Sequence, residues 1–362
     1  MPPRPPSYQS LPSQVAARIA AEIHAGTWQE WLPGERSLTE TLQISRKTLR
    51  KALAHLQRDG VIATTHGLGH RIAPGAPATP KRAELTIGLL TPESLENLRP
   101  YTALWVDELR ALLIENGVRL ATFAGHRFFK LRPDKALARL VQQNPQSCWV
   151  LAHTNEQIQQ WFCDQHVPCV IAGSCHHGLD LPNVDLDYFA VCRHTAGAML
   201  RLGHRRVAFL TKQSQRAGDL ESEAGFIDGV RRSSRAGASP FIVRHDGTVD
   251  GINRMLTRLF NSTSAPTALL VANPVYYLTA ITFLAQRGLR VPRDVSLVSR
   301  DDDTFLGYLT PEPARYSCNA KIYAKRLLQP IQAILRGEPV THPVYRIEPK
   351  FVGGASLTAV PT

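Results

Sequence analysis

The sequence has no long apolar stretch: no window of its 362 residues approaches 18 consecutive hydrophobic residues. A membrane span is therefore not expected. Residues 1–10 are proline-rich and contain no apolar core, which argues against a signal peptide and for a disordered tail. Because 43% of the residues are hydrophobic, the composition is typical of a soluble globular protein, and the length suggests two or three structural units.

Catalytic motifs are also missing. The chain contains no phosphate-binding Walker loop, no dinucleotide-binding Gly-x-Gly-x-x-Gly and no nucleophile elbow, so the sequence predicts neither an enzyme nor a bound cofactor. The six cysteines are scattered without a disulfide-like framework, as expected in a reducing cytoplasm. One cluster could suggest zinc, but it lacks paired Cys-x-x-Cys spacing, so we expect no metal site there: Cys163, Cys169, Cys175, His176 and His177.

Acidic residues are few relative to basic ones. The chain carries 42 lysines and arginines against 30 acids, a net charge of +12. Residues 1–82 hold eleven of the basic residues and only five of the acids, so about half of the net charge lies in less than a quarter of the chain. This distribution favours a polyanionic partner for the N-terminal part.

The strongest local pattern lies between Pro33 and Leu53 and predicts a short helix, a tight turn and a second helix. Ser45 is a suitable N-cap for the second helix. Its apolar residues recur at helical spacing and its basic residues fall on a separate arc, which suits a DNA major groove. The alternative is an ordinary surface helix with a solvated basic face. The apolar set is Leu49, Ala52, Leu53 and Leu56, and the basic set is Arg46, Lys47, Arg50, Lys51 and Arg58.

The run from Leu32 to Ile62, LPGERSLTETLQISRKTLRKALAHLQRDGVI, resembles the winged helix-turn-helix of the GntR family of bacterial transcription regulators. The resemblance implies DNA contacts by the family's arginines, which match Arg36, Arg46 and Arg50, and a phosphate contact by Thr48. Ser45 and Lys47 belong to the same candidate surface. Gln43 departs from the family, since a turn glycine is common at its position.

The flanking segments complete such a domain. Residues 11–26 form an amphipathic pattern that should pack under the second helix, with Gly26 as its stop. After Gly60, two short strands around a glycine turn predict a wing. Its candidate DNA contacts are His66, Gly67, Gly69 and His70, unless it is a plain surface hairpin. We thus expect a DNA-binding domain over 11–73 and a semi-rigid linker over 74–84.

From residue 85 onwards the pattern alternates between apolar strands and helices, which predicts parallel sheets with crossover helices. Ligands of such sheets bind beyond the carboxyl ends of the strands. The sequence therefore predicts a multidomain protein: an α+β winged helix-turn-helix domain followed by an α/β domain over 85–362.

This second part resembles the effector-binding domain of LacI-type regulators, which is built like periplasmic sugar-binding proteins of type I. The residues that carry the resemblance are Val184–Asp187, Leu202–Leu210, Gly225-Phe226, Gly288–Val298, Asp301-Asp302 and Gly353–Ser356. It implies two lobes, a ligand cleft between them, and lobe crossings near residues 188, 303 and 338.

The ligand pocket departs from that family. Ser222 stands where the family usually has an arginine that binds a sugar hydroxyl, and Asn273-Pro274 replaces the family's Asn-Asp. Asp301 matches the family's pocket aspartate. The candidate ligand-binding residues are Thr91, Glu93, Ser94, Ser222, Asn273 and Asp301.

These observations predict a cytoplasmic, homodimeric repressor that binds a pseudo-palindromic DNA operator. A sugar or related metabolite in the cleft would modulate that binding. Three alternatives stay open. The protein could be an activating or ligand-independent regulator with a degenerate cleft, or a small-molecule binding protein without a DNA role. An enzyme fusion with a GntR-type head would need a far longer C-terminal part.

Overall fold

The computed structural model describes residues 11–24, 26–28, 30–65, 69–73, 85–233 and 239–360. The chain divides into two compact units, Met1–Glu84 and Leu85–Thr362. The predicted tail over 1–10 and linker over 74–84 lie outside the described residues. Within the described ranges, no helix combines the length and apolar character needed to cross a bilayer.

The first unit contains three helices and a two-stranded antiparallel sheet. The helices are α1 (Leu11–His24), α2 (Glu35–Leu42) and α3 (Arg46–Arg58), and the strands are β1 (Ile62–Thr65) and β2 (Gly69–Ile72). The apolar face of α1, with Val15, Ile19 and Ile23, packs in one core with the apolar face of α3, as the sequence predicts. The chain leaves α1 through Gly26, whose positive φ of 76° suits glycine.

The second unit has two lobes, each built on a six-stranded sheet. The sheet of the first lobe has the order β13 (Val344–Ile347), β7 (Asn183–Leu186), β6 (Cys169–Ala172), β5 (Cys148–Ala152), β3 (Thr86–Thr91), β4 (Arg119–Ala124). The sheet of the second lobe has the order β14 (Lys350–Val352), β12 (Ala314–Ser317), β11 (Ser296–Ser299), β10 (Ala268–Val271), β8 (Arg206–Lys212), β9 (Ser239–His245). All neighbouring strands run parallel except β14, which is antiparallel to β12.

The strands of the first lobe are β3 (Thr86–Thr91), β4 (Arg119–Ala124), β5 (Cys148–Ala152), β6 (Cys169–Ala172), β7 (Asn183–Leu186) and β13 (Val344–Ile347). Its helices are α4 (Pro100–Glu115), α5 (Asp134–Gln143), α6 (Glu156–Asp164) and α11 (Ala320–Leu335). Helices α4 and α11 cover one face of the sheet, and α5 and α6 cover the other, so both faces are buried.

The strands of the second lobe are β8 (Arg206–Lys212), β9 (Ser239–His245), β10 (Ala268–Val271), β11 (Ser296–Ser299), β12 (Ala314–Ser317) and β14 (Lys350–Val352). Its helices are α7 (Tyr188–Arg201), α8 (Ala217–Arg231), α9 (Val249–Phe260) and α10 (Pro274–Gln286). Helices α7 and α8 pack on one face, and α9 and α10 on the other.

The chain crosses between lobes three times. The first crossing, between β7 and α7, lies at Asp187, close to the expected position. The other two lie later than the expected positions near 303 and 338, because β12 still belongs to the second sheet and β13 to the first. The chain crosses between Ser317 and Ala320 and again between Ile347 and Lys350. The first two crossings follow β7 and β12, two strands that the alternating sequence pattern does not predict.

Candidate nucleic-acid interface and interlobe cleft

The start of α3 is fixed by local side-chain chemistry. The backbone N–H of Thr48 donates to the Ser45 hydroxyl oxygen at 3.2 Å, so Ser45 is the N-cap that the sequence predicts. The turn before it is made by Gln43, which adopts a left-handed conformation with φ 50° and ψ 46°. Such a conformation is unfavourable for a residue with a Cβ atom.

The two faces of α3 separate as predicted. Leu49, Ala52, Leu53 and Leu56 are buried, whereas the side chains of the basic set Arg46, Lys47, Arg50, Lys51 and Arg58 are exposed. Within the described residues, Arg46 and Lys47 form no ion pair. A cationic, unpaired surface at the first turn of a helix can contact phosphates or base edges.

Two of the predicted DNA-contacting arginines are paired with glutamates. Arg36 Nε lies 3.2 Å from Glu40, and Arg50 Nε lies 3.1 Å from Glu35. These ion pairs are solvent-exposed and hold the guanidinium groups at the surface of α2 and α3. Such pairs contribute little to stability, about 0–1 kcal/mol each. Their partners can therefore be exchanged for phosphate at small cost.

The two strands of the predicted wing pair in register, with Thr64 opposite His70. His70 Nδ1 lies 3.2 Å from the Thr64 hydroxyl, and that hydroxyl donates to Gln57 of α3 at 3.1 Å. Gly69 has φ 107°, which only glycine adopts readily. The other two wing candidates, His66 and Gly67, lie outside the described residues.

A cavity of about 290 Å³ lies between the two lobes, at the carboxyl ends of their central strands. Residues of both lobes line it, as expected for a two-lobed α/β domain. Its charged, polar and aromatic lining includes Glu93, Arg99, Tyr101, His153, Asp185, Tyr188, Lys212, Arg216, Asp219, Asn273, Tyr276 and Arg300.

Of the six predicted ligand-binding residues, only Glu93 and Asn273 line this cavity. The Thr91 hydroxyl is buried and donates to the backbone carbonyl of Glu93 at 2.7 Å, and the Ser94 hydroxyl donates to Glu96 at 3.0 Å. Both hydroxyls therefore form hydrogen bonds within their own loop and do not line the cavity. Ser222 and Asp301 are buried behind the lining, where each contacts Arg300.

A buried ion pair joins the two lobes. Arg99, just before α4, donates to Asp301, just after β11, at 2.5 Å. Arg300 contacts the same carboxylate oxygen at 3.2 Å. Burial alone would raise the pKa of Asp301, yet the guanidinium groups of Arg300 and Arg99 hold that pKa below its usual value. The aspartate expected to bind ligand is therefore ionised and already engaged by the protein.

Arg300 makes three further contacts. It donates to the Ser222 hydroxyl at 2.8 Å, lies 3.4 Å from Asp219, and stacks over the Tyr188 ring at 4.2 Å. A guanidinium group thus reaches Ser222, the position at which the resemblance leads one to expect an arginine. The sequence did not identify Arg99 or Arg300 as site residues. The one available signal was the basic residue directly before the three aspartates 301–303.

His153 supplies a neutral imidazole to the cleft. It follows β5 with a left-handed φ of 57°, which is a strained conformation for histidine. Burial, followed by the charges of Arg216 and Arg99, lowers the pKa of His153 to about 3. These two arginines, one from each lobe, therefore lie close enough to the same imidazole to disfavour its protonation.

A second polar link between the lobes centres on Ser174, two residues after β6. Its hydroxyl oxygen lies 2.8 Å from Asp185 of the first lobe and 2.8 Å from Glu221 of α8. Arg346 of β13 donates to Glu221 at 2.9 Å and to Asn183 at 2.8 Å. One hydroxyl proton cannot serve two carboxylates. Burial raises the pKa of Asp185 to about 6, so this carboxyl takes up a proton at a higher pH than an ordinary aspartate.

The cysteine and histidine cluster is dispersed in the fold. Cys169 is buried within β6, and the Cys175 thiol donates to the Leu179 carbonyl at 3.5 Å. The His176 backbone N–H donates to the side chain of Gln159 at 2.8 Å. In the part of the chain that the structure describes, no three histidine, cysteine or acidic side chains are grouped to hold a metal ion.

Comparison with protein families matches two separate parts of the chain. The family described as bacterial regulatory proteins, gntR family, matches residues 11–72, and a periplasmic binding protein-like domain matches residues 196–357. Both halves of the resemblance drawn from the sequence are thereby confirmed.

Two curated proteins are similar to this chain in sequence. The arabinose metabolism transcriptional repressor of Geobacillus stearothermophilus is 25% identical over 311 residues, which cover 81% of this chain and 82% of that protein. Catabolite control protein A of Priestia megaterium is 26% identical over 153 residues, covering 40% of this chain and 44% of that protein.

Solved structures share the fold. A regulatory protein of the LacI family from Chloroflexus aggregans superposes with a TM-score of 0.64 at 20% identity, over 75% of this chain and 98% of that one. The transcriptional regulator CelR in complex with cellobiose gives 0.67 at 19% identity, over 96% of this chain and all of the other.

Proposed function

We propose that this chain, a transcription regulator in which a GntR-family DNA-binding domain precedes a LacI-type periplasmic-binding-protein-like domain, represses its target by binding an operator in a ligand-dependent way. Residues 11–73 bind DNA, residues 74–84 link the units, and residues 85–362 bind the effector. The chain has no catalytic role and acts in the cytoplasm, where bacterial DNA lies.

The observation that carries the DNA-binding part is the surface of α3. A buried apolar face anchors this helix in its unit. Arg46 and Lys47, which form no ion pair among the described residues, project from its first turn. In a helix-turn-helix the first residues of the recognition helix reach base edges. The proposed contact residues are Arg36, Ser45, Arg46, Lys47, Thr48, Arg50, His66, Gly67, Gly69 and His70.

Arg36 and Arg50 contribute by exchanging partners. In the free protein each binds a glutamate, and in the complex each binds a DNA phosphate. Because the glutamate pairs are exposed and weak, the exchange costs little, and the glutamates keep the arginines extended towards the surface before DNA arrives. Two such units in a homodimer match the two half-sites of a pseudo-palindrome.

The interlobe cavity is the proposed effector site. The similar CelR structure contains cellobiose, and a similar repressor is named for arabinose metabolism, which supports a sugar or related metabolite as ligand. Residues of both lobes line the cavity, so a ligand that contacts both favours one lobe arrangement over another. Such differential binding is what a ligand needs in order to change operator affinity.

The experiment is an anisotropy titration of labelled DNA from upstream of the protein's own gene, against a scrambled duplex, at several salt concentrations. Replacing Arg46 with alanine should cost about 1–3 kcal/mol of specific binding. Log affinity of the wild type should fall with log salt by about 0.9 for each neutralised phosphate. Arg58→Ala, an exposed arginine at the other end of α3, is the matched control and should change the affinity far less.

Equal weak binding of wild type and Arg46→Ala to both duplexes, repeated over a library of genomic fragments, would rule out sequence-specific recognition by α3. The protein would then be a small-molecule binding protein. Adding sugars to the same assay tests the effector.

A second candidate function is a ligand-independent or activating regulator. The pairing of Asp301 with Arg99 and Arg300 favours it, because the carboxylate expected to bind a ligand is engaged by contacts within the protein. Specific DNA binding that no ligand changes would support this candidate.

A further inference from the structure

Two helices begin at the cavity with an arginine at the N-cap. Arg99 precedes α4 and Arg216 precedes α8, and neither side chain caps its helix by a hydrogen bond. Both arginines line the cavity, one from each lobe. The N-cap of a third helix, Asn273 of α10, also lines it and accepts the N–H of Val275 at 2.9 Å.

Arginine is an unfavourable residue at this position. A helix N-terminus carries a partial positive charge and free N–H groups, which acidic or hydroxyl side chains normally satisfy. A guanidinium group there adds like charge and accepts no hydrogen bond. Two such arrangements facing one cavity create a positive potential that an anion would relieve.

Arg300 provides independent evidence for the same ligand chemistry. Its side chain is only 8% exposed and lines the cavity, and its Nε–H has no hydrogen-bond partner among the described residues. A buried, charged donor without a partner is costly. Arg300 thus keeps an unsatisfied cationic donor in the wall of the cavity, where it adds to the positive potential.

The acids at the cavity have partners within the protein: Glu93 lies 3.5 Å from His126, and Asp185 accepts from the Ser174 hydroxyl at 2.8 Å. Asp301 is shared by Arg99 and Arg300, and Asp219 contacts Arg300 at 3.4 Å. Arg216 and Lys212 also line the cavity, and within the described residues neither forms an ion pair. Two cationic side chains at the cavity are therefore without a paired carboxylate among the described residues.

We infer that the ligand of this cleft carries an oxyanion, a phosphate or a carboxylate, which Arg216, Arg99 and Arg300 bind together with the first N–H groups of α8. This inference rests on the proposed function and names the chemical class of its effector: an acidic or phosphorylated small polar molecule, not a neutral sugar. Charge-assisted hydrogen bonds from guanidinium groups suit such a ligand.

The test uses the full chain and measures its melting temperature and tryptophan fluorescence at constant ionic strength. The probes are inorganic phosphate, glucose 6-phosphate, gluconate and glucose, with potassium chloride as the reference. We expect saturable stabilisation by at least one of the three anions and none by glucose. The response to glucose 6-phosphate relative to gluconate distinguishes a phosphate from a carboxylate ligand.

Three variants localise the effect. Arg216→Gln removes an exposed, unpaired charge and should weaken anion binding about tenfold, the value of one charge-assisted hydrogen bond. Arg139→Gln removes an exposed arginine of α5 outside the cavity lining and should leave the response unchanged. Arg46→Ala should also retain the response, which separates the cleft from the cationic DNA-binding surface.

Three outcomes overturn the inference: no anion stabilises the chain beyond chloride, glucose stabilises it as well as the anions, or Arg216→Gln responds like the wild type. Failure of the proposed function looks different. A chain that binds its operator specifically but ignores anions contradicts only the anionic ligand. Anion binding without specific DNA binding contradicts the regulator.

Discussion

Arginines are central to both units, yet they lie in opposite environments. In the DNA-binding unit, the Arg50 side chain is 70% exposed and that of its partner Glu35 is 32% exposed. In the cleft, Arg99 is 20% exposed, Arg300 is 8% exposed, and their common partner Asp301 is 4% exposed. The geometry of a single ion pair is similar in the two places, but the surrounding dielectric is not.

The difference in solvent exposure determines how easily each ion pair can exchange its partner. An exposed pair gains little energy and is screened by salt, so its arginine is free to exchange a carboxylate for a phosphate. A buried group of two arginines and one aspartate is held by strong interactions, since removal of either sign leaves an uncompensated charge in a dry site. The first arrangement suits reversible contact with a polymer, and the second suits a lobe arrangement that changes only when a competing charge arrives.

The largest effect should come from breaking the buried group. Asp301→Asn removes the single carboxylate between Arg99 and Arg300, and should destabilise the second unit by about 3–5 kcal/mol. Urea unfolding followed by tryptophan fluorescence measures this loss, with ligand-free full-length protein in both cases.

The matched exposed variant is Glu35→Gln, which removes the partner of Arg50 and should cost less than about 1 kcal/mol. Equal losses in the two variants would mean that burial does not distinguish the two sites.

Asp185, whose carboxyl group contacts Ser174, provides a third case, because its buried charge should lower the stability of the fold. Asp185→Asn should stabilise the protein at pH 8 by about 2–3 kcal/mol, at 1.36 kcal/mol per unit of pKa shift. The asparagine amide can donate to Ser174 while its carbonyl accepts the Leu186 N–H, which Asp185 accepts at 2.8 Å in the wild type. The Ser174 hydroxyl is then free to donate to Glu221.

The pH dependence follows from the raised pKa of Asp185, about 6 against an ordinary value of 3.8. A group whose pKa is raised by folding contributes stability at low pH, and that contribution is lost as the pH rises through 6. Denaturant unfolding between pH 4 and pH 8 should show this loss in the wild type but not in Asp185→Asn. If the free energy of unfolding fell equally with pH in both proteins, the loss would come from a group other than Asp185.

The smallest effect concerns the turn that positions α3. Gln43→Gly should stabilise this turn by about 0.5–1 kcal/mol, because glycine adopts its left-handed conformation without strain. Hydrogen exchange of the amides of α2 and α3 in the full chain measures it. Gly60→Ala is the opposite control: Gly60 has φ 71° and open space around its Cα, so alanine there should lower protection by a similar amount.

Most of the DNA-binding surface could be predicted from the sequence, because its information is local. The N-cap Ser45 and the two faces of α3 depend on residues within four positions of one another. What the sequence did not indicate is that Arg50 is engaged by Glu35, since these two residues lie 15 positions apart.

The cleft could be predicted only in outline. Alternating strands and helices indicate two sheets and an interlobe cavity, but β7 and β12 are four-residue strands without long apolar runs. The residues that line the cavity depend on distant contacts: Arg99 meets Asp301 across 202 positions. Choosing candidates because they follow a strand therefore selected Thr91 and Ser94, whose hydroxyls bond within their own loop. It missed Arg99 and Arg216, the N-cap residues of α4 and α8.

The three lobe crossings have a consequence for synthesis on the ribosome. The first lobe needs α11 and β13, which follow the entire central part of the second lobe, and the second lobe needs β14, which follows β13. At about 5–20 residues per second, the early strands of the first lobe wait on the order of ten seconds for their missing neighbour. During that interval the unpaired edge of β7 is open to other chains. The nascent chain is therefore a natural substrate for chaperones until β13 emerges, whereas the DNA-binding unit can fold as soon as its own residues leave the tunnel.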